Sequence, residues 1–404
     1  MSIILDRPSA TDEDRELRAD LVGRAAKLVP LLAANARRSE DDRQVVVENI
    51  TAIDEAGLLS IMRPRRYGGL ETDFRTKLEV SRELARGCGS TSWVTSLLNV
   101  CAWFTALWPE QAQHDVWGEH PGNRVAGVLS PTGTATDVPG GYRVSGKWGW
   151  ASGSAHAQWA LVGIPLVNAD GTPRDQGLVL IPMTELTIED TWFVAGMKGT
   201  ASNTLVADDV FVPAHRYLSL VKAIQGDYAT PFTDEALYRS AFIPVSALIL
   251  AGPQLGLATA ALDLVIEKAP KRTISYTFYE NQVGSPSVQL AVARSASLID
   301  SAHLHAYRAA AEIDEAAAQD VYPDYDARAK SRMDTGVAVT YAREAIRTLV
   351  SAHGASSFAE ASPLQRIWRD SEVASRHAVV HPEISAEVYG KSLLGLRGDV
   401  TPLV

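Results

Sequence analysis

The densest run of side chains able to hold a reactive group is Gly146-Lys-Trp-Gly-Trp-Ala-Ser-Gly-Ser-Ala-His156, which packs two tryptophans, two serines and a histidine into eleven residues. Indole rings stack on flat heteroaromatics, and neighbouring hydroxyls add directional hydrogen bonds. The pattern suits a planar heterocyclic ligand; it also suits a tryptophan-rich corner of a small β-domain. Histidine supplies the other candidates. His377 and His381 lie at i,i+4, so one helix would set both on one face as metal ligands. No acidic ligand at matching spacing completes such a site, and Pro382 is expected to end any helix there. No metal is therefore predicted. His303 and His305, two residues apart, point away from each other on a helix and read as surface or packing residues. Cys101 reads as a small buried apolar side chain. The sequence contains no P-loop, GxGxxG, HExxH, GxSxG or CxxC. The turn Pro139-Gly140-Gly141 is not a phosphate loop, because no helical pattern follows it.

Three textures along the chain must position these residues. From about residue 11 to 120 the pattern is helical, with Leu17, Leu21, Leu28 and Leu32 making one apolar face. Trp93, Trp103, Phe104, Trp108 and Trp117 in this part read as helix-packing core or as the wall of a flat-ligand pocket. From about 122 to 218 the texture becomes β. The turn at Pro139–Gly141 opens a hairpin, and Trp159–Pro165, Gly177–Pro182 and Val206–Val212 are short β-rich runs. From about 234 onward the chain is alanine-rich, with candidate helices at 242–268, 285–318, 324–353 and 363–376. Pro244, Pro253 and Pro270 are expected to limit the first. Three regions follow: a helical domain over 1–120, a β-domain over 121–220, built as a barrel or sandwich, and a four-helix bundle over 221–404.

Composition narrows the class. The 404 residues carry 38 Lys and Arg against 48 Asp and Glu, a net charge of −10, which disfavours a nucleic-acid or anionic-membrane partner. With 46% hydrophobic residues the chain can bury a large core without disulfides or metal. Its two cysteines, Cys88 and Cys101, suit a reducing cytoplasm. The start, MSIILDRPSATDEDRELR, reads as neither signal peptide nor anchor. No apolar run is expected to reach the ~18 residues that span a bilayer.

The order helices, β-domain, helical bundle resembles the acyl-CoA dehydrogenase fold, and short motifs agree over essentially the whole chain. Trp150-Ala-Ser152-Gly resembles that family's Trp-Ile-Thr-Asn segment, whose hydroxyl bonds the flavin N5 edge. Leu129-Ser130-Pro131-Thr132 sits where the family's first flavin-contacting strand ends. His353-Gly-Ala-Ser-Ser-Phe358 with Pro363 and Arg369-Asp370 resembles the run that binds a neighbouring subunit's flavin. Lys271-Arg272 with Gln282 resembles the Arg…Gln pair that reaches a dinucleotide pyrophosphate across the dimer. The family's catalytic Glu has no counterpart: its place is Ala378, preceded by His377. Without a carboxylate to take the α-proton of an acyl thioester, that reaction loses its base.

The chain instead resembles reduced-flavin-dependent two-component monooxygenases of the same fold, such as 4-hydroxyphenylacetate and steroid-phenol hydroxylases, and most of all those of antibiotic, aromatic polyketide and indole alkaloid pathways. The segments are Gly89-Ser-Thr-Ser-Trp93, Ser152-Gly-Ser-Ala-His156, Gly196-Met-Lys-Gly-Thr200, Ser202-Asn203, Asp209-Val-Phe-Val-Pro213 and Trp368-Arg-Asp370 with His377 and Tyr389-Gly390. This resemblance implies reduced FAD, or FMN, delivered by an NAD(P)H:flavin reductase, with dioxygen as co-substrate and a C4a-hydroperoxyflavin as oxidant. It implies Ser152 and His377 as catalytic residues, with His381 as the alternative to His377. Ser130, Trp150, Ser152, Lys271, Arg272, Gln282, Gly354, Ala355 and Ser356 would bind flavin, with Trp148 and Trp150 walling the ring and Lys271-Arg272 favouring FAD. Trp93, Cys101, His156 and His381 would line the substrate, His156 serving otherwise as a structural residue. Several phenol hydroxylases of the group carry a substrate-touching His where Cys101 or Ala102 stands here, which points to a bulkier polycyclic or indolic aromatic. A homo-oligomer, a tetramer more than a dimer, is implied. Competing readings are N-oxygenation of an amino sugar, an acyl-CoA dehydrogenase with Glu383 or Glu387 as base, and a non-catalytic flavin-binding protein.

Overall fold

The computed structural model describes residues 6–404, so the first five residues of the N-terminal reading lie outside it. Five helices come first: α1 (Asp12–Asp41), α2 (Val47–Glu55), α3 (Phe74–Ala85), α4 (Gly89–Thr105) and α5 (Glu110–Trp117). Helix α1 starts at a reciprocal cap in which the Thr11 hydroxyl takes the Asp14 amide and the Asp14 carboxylate takes the Thr11 amide. Helix α4 is buried along almost its whole length, which is why it lacks a polar stripe. The tryptophans after Trp93 are core. Trp103, Trp108 and Trp117 are fully buried and give their indole N–H to the carbonyls of Leu237, Arg216 and Asn123 at 2.8, 3.0 and 3.1 Å. Truncating one such ring to alanine costs about 3–5 kcal/mol.

Eight strands follow: β1 (Val125–Val128), β2 (Thr134–Val138), β3 (Gly141–Trp148), β4 (Trp159–Val167), β5 (Pro173–Pro182), β6 (Thr187–Glu189), β7 (Thr204–Pro213) and β8 (Tyr217–Ser219). They form two four-stranded sheets, ordered β1-β4-β5-β8 and β2-β3-β7-β6. All pairings are antiparallel except β1 with β4. Val144, Trp148, Ile164, Leu205 and Val212 share one apolar cluster of this β-region, so of the two forms expected it is a sandwich. Trp148 is part of that core, its Nε1 donating to the Gly163 carbonyl at 2.7 Å; it does not wall a ligand.

The rest is helical: α6 (Leu220–Ile224), α7 (Phe242–Leu248), α8 (Ala251–Lys268), α9 (Pro286–Ala318), α10 (Tyr325–His353), α11 (Pro363–Ala374) and α12 (Pro382–Leu393). The expected bundle is present, with two corrections. Pro244 and Pro253 lie in the first turns of α7 and α8, where a missing N–H costs nothing. The break falls between them, at Ile249 and Leu250, and the buried Lys77 Nζ donates to the freed Ile249 carbonyl at 3.1 Å. Pro382, likewise, begins α12 instead of ending a helix. The stretch Phe242–Lys271 is long and apolar enough to cross a bilayer, contrary to the sequence expectation, but 83% of its most apolar window is buried inside the fold.

Candidate active site

The register of two strands brings the central residues together. In β3 and β7, Trp148 stands opposite Leu205, so the segments just beyond, 149–153 and 200–203, run side by side. Backbone bonds tie them: the Ala151 amide to the Asn203 carbonyl and the Gly153 amide to the Thr200 carbonyl, both at 3.1 Å. Trp150, Met197 and Ala201 take left-handed backbone, at φ of 68°, 55° and 45°. Such conformations cost of order 1–3 kcal/mol each in non-glycine residues and collect at functional sites.

Ser152 is buried at the centre. Its Oγ lies 2.6 Å from Ser202 Oγ and accepts the Trp93 indole N–H at 3.3 Å. Ser202 Oγ lies 2.7 Å from Thr200 Oγ1, which donates to the Met197 carbonyl at 2.9 Å. The Met197 peptide is held from behind. Its N–H donates to the buried Asp370 carboxylate, and Arg369 bonds the Ala195 carbonyl. The close approach requires glycine at 196, where a Cβ would stand 2.2 Å from the Arg369 carbonyl oxygen. The Arg369-Asp370 pair thus clamps the loop that carries Thr200 and Ser202. Burial raises the Asp370 carboxyl to about 6.

His377 lies in the connection between α11 and α12 and faces Trp93 edge-on, ring centroids 6.0 Å apart. It is exposed to water although protein atoms surround it closely. Desolvation lowers its pKa to about 4, so the ring is neutral at pH 7. Nδ1 accepts the Val379 amide at 3.4 Å, which assigns the proton to Nε2. His381 is not part of this group; its Nδ1 lies 3.1 Å from Glu383 on the first turn of α12. Glu383 and Glu387 are exposed and face His381 and Lys391, so neither replaces the missing carboxylate.

The remaining expectations divide. His156 is buried near Val45 with Nε2 lacking a partner, and desolvation followed by Arg124 lowers its pKa. Cys101 packs two turns further along α4 against Gly127 of β1, and burial pushes its thiol up to about 12; no hydrogen bond or ring contact joins it to Trp93 or His377 among the described residues. Ser130 is exposed just past β1. The absence of a side chain at Gly163 lets that segment cross β4, since a Cβ there would meet the Leu129 carbonyl at 2.3 Å. Trp150 is exposed at the rim, edge-on to Trp192 with centroids 4.9 Å apart. An open recess of about 440 Å³ on α10, lined by Arg343, Arg347 and Ser351, shares no lining residue with this corner.

A second group forms where α10 ends at Gly354. Arg272 bonds Ser356 Oγ, and Arg272 and Gln282 each reach the His353 carbonyl at 3.5 Å. Arg272 Nε, Gln282 Oε1 and His353 Nδ1 are buried without partners. Desolvation, Arg272 and Lys268 lower the His353 pKa to about 4. Lys271, Gly354, Ala355 and Ser356 are exposed beside them. Arg272 Nε is an unspent donor on a cation and, with the exposed Lys271 beside it, suits a phosphate, so this group fits the dinucleotide end of FAD.

Fold and site together define a flavoprotein of the acyl-CoA dehydrogenase fold that lacks the dehydrogenase base. Residues 11–119 match the acyl-CoA dehydrogenase N-terminal domain and residues 248–382 its C-terminal domain. The chain is 35% identical over 371 residues to the flavin-dependent monooxygenase oxygenase subunit HsaA of Mycobacterium tuberculosis, covering 91% of this chain and 94% of that protein. It is 34% identical to the oxygenase component of the FADH2-dependent resorcinol hydroxylase of a Rhizobium species, over 93% of this chain and 94% of that protein. The structure of XiaF from a Streptomyces species in complex with FADH2 and glycerol superposes with a TM-score of 0.92 at 39% identity, covering 96% and 98% of the two chains. The chain belongs to the reduced-flavin-dependent two-component monooxygenases, as the oxygenase component. It acts on an aromatic substrate with dioxygen and a flavin, FAD or FMN, reduced by a separate partner.

Proposed function

We propose that the Trp93–Ser152–His377 corner holds the reactive edge of reduced FAD against a polycyclic or indolic aromatic, which the enzyme hydroxylates. The observation that supports this most is a buried serine hydroxyl, tied to an indole N–H, with a neutral histidine edge-on to the same indole. Reduced flavin supplies the electrons that activate dioxygen, one atom entering the substrate and the other leaving as water. Ser152 holds the N5 edge of the ring. His377, neutral and with its proton on Nε2, donates a hydrogen bond towards the reacting oxygen. The buried floor of Trp93, Ala151 and Ser202 excludes water. Arg272, Gln282 and Ser356 hold the pyrophosphate of a neighbouring protomer's FAD, with Lys271, Gly354 and Ala355 alongside. That role calls for at least a dimer, and a dimer of dimers is the assembly proposed.

The substrate class rests on Cys101 and Ala102, apolar and buried where a phenol-binding histidine would stand. Such a substrate, a separate NAD(P)H-driven reductase and a cytoplasmic setting are consistent with antibiotic biosynthesis. The direct test supplies NADH, a flavin reductase, FAD and a panel of indoles and polycyclic phenols. Products carrying one added oxygen atom are expected. Hydrogen peroxide as the only product across the panel, despite tight binding of reduced FAD, would reject the reading. A monomer by light scattering would remove the role given to residues 353–358.

A further inference from the structure

Hydroxyl groups that bond one another in a row must agree on which way their protons point. In this row the far end decides. The Met197 carbonyl can only accept, so Thr200 spends its proton on it. Ser202 must then donate to Thr200, and Ser152 to Ser202. The Trp93 N–H, which can only donate, occupies one lone pair of Ser152. Ser152 is left with a lone pair and no proton to offer. Running the row backwards would forfeit the Thr200 to Met197 bond, although Met197 would keep the Trp192 indole N–H at 3.0 Å.

We infer that the row Thr200–Ser202–Ser152, anchored on Met197, sets Ser152 as an acceptor and thereby selects reduced over oxidised flavin. This rests on the reading that Ser152 meets the N5 edge. Reduced flavin presents N5–H there, a donor, and matches the row as it stands. Oxidised flavin presents a bare N5, an acceptor, and can be bonded only at the cost of one bond of the row, either Ser152 to Ser202 or, with every hydroxyl reversed, Thr200 to Met197. Thr200, Ser202 and the Asp370 carboxylate that fixes the Met197 peptide are positioning residues; only Ser152 touches the ring. The binding site rejects spent flavin by the same bonds that receive the fresh one.

The test is equilibrium binding of FAD to the full chain, oxidised in air and reduced under anaerobic conditions. For Thr200→Val and Ser202→Ala, the ratio of the two affinities should shrink about fivefold, the weight of one net hydrogen bond, chiefly through tighter binding of oxidised FAD. Thr200→Ser should restore the wild-type ratio. If both affinities fall together and the ratio holds, the hydroxyls serve structure alone and the inference fails. Ser152→Ala separates the two levels: unchanged affinity for both forms would show that Ser152 is not at N5, which overturns the underlying reading as well.

Discussion

At the Ser152 corner every hydroxyl of the row has a partner, and backbone bonds join the two segments that carry it. At the end of α10, three buried polar atoms of Arg272, Gln282 and His353 have none. Isolated buried polar atoms normally cost 1–3 kcal/mol each, so such a cluster is stable only with something to meet it. The first region is complete before a ligand arrives and can impose geometry on it. The second is completed by the ligand and can only grip it. Chemistry belongs at the first and retention at the second.

Four measurements would break or sharpen that division. His377→Ala should lower hydroxylated product by about 10²–10⁴-fold while leaving the affinity for reduced FAD nearly unchanged; a parallel loss of both would move His377 from reaction to retention. Gly196→Ala should cost about 2–3 kcal/mol in denaturant unfolding, because the new methyl group meets the Arg369 backbone, and should disturb the Ser152 row more than the Arg272 group. Arg272→Ala should weaken FAD about 10–100-fold, the worth of a charged hydrogen bond, with FMN far less affected. Equal losses for the two cofactors would contradict a pyrophosphate at Arg272. The smallest effect is in pH. His353 has its pKa lowered in the folded chain, so the unfolded chain binds more protons between about 6.5 and 4. Stability is complete above that window and falls as pH drops through it, by about 1–2 kcal/mol once solvent screening is allowed for. His353→Asn should flatten this part of a melting-temperature profile against pH.

How much of this could be read from the chain follows from the distances along it. Ser152 stands out because its neighbours are tryptophan, serine and histidine within one short run, and His377 because it adjoins the place of a missing carboxylate. The three-part order was legible from the change of hydrophobic period. The hydroxyl row was not. Ser152 and Ser202 are fifty residues apart, and they meet only because β3 and β7 pair in one register, which composition does not announce. Trp148 and Trp150 look alike in sequence, and two residues apart on a strand they would share a face; yet one fills the sandwich and the other stands at the surface, since the strand ends at Trp148 and Trp150 takes left-handed backbone beyond it. The prolines misled for a related reason: Pro244, Pro253 and Pro382 begin helices, and residue type alone does not distinguish a start from a stop.

The left-handed turn at Trp150 gives the molecule an optical property. Of nine tryptophans it alone is exposed, at 70%, and it stands two residues from Ser152. The other rings are wholly or partly enclosed and emit from within the protein, whereas this one emits from water, at the red edge of the spectrum. Arrival of an absorbing coenzyme nearby would quench that edge first, so the unaltered chain carries its own fluorescent gauge of occupancy.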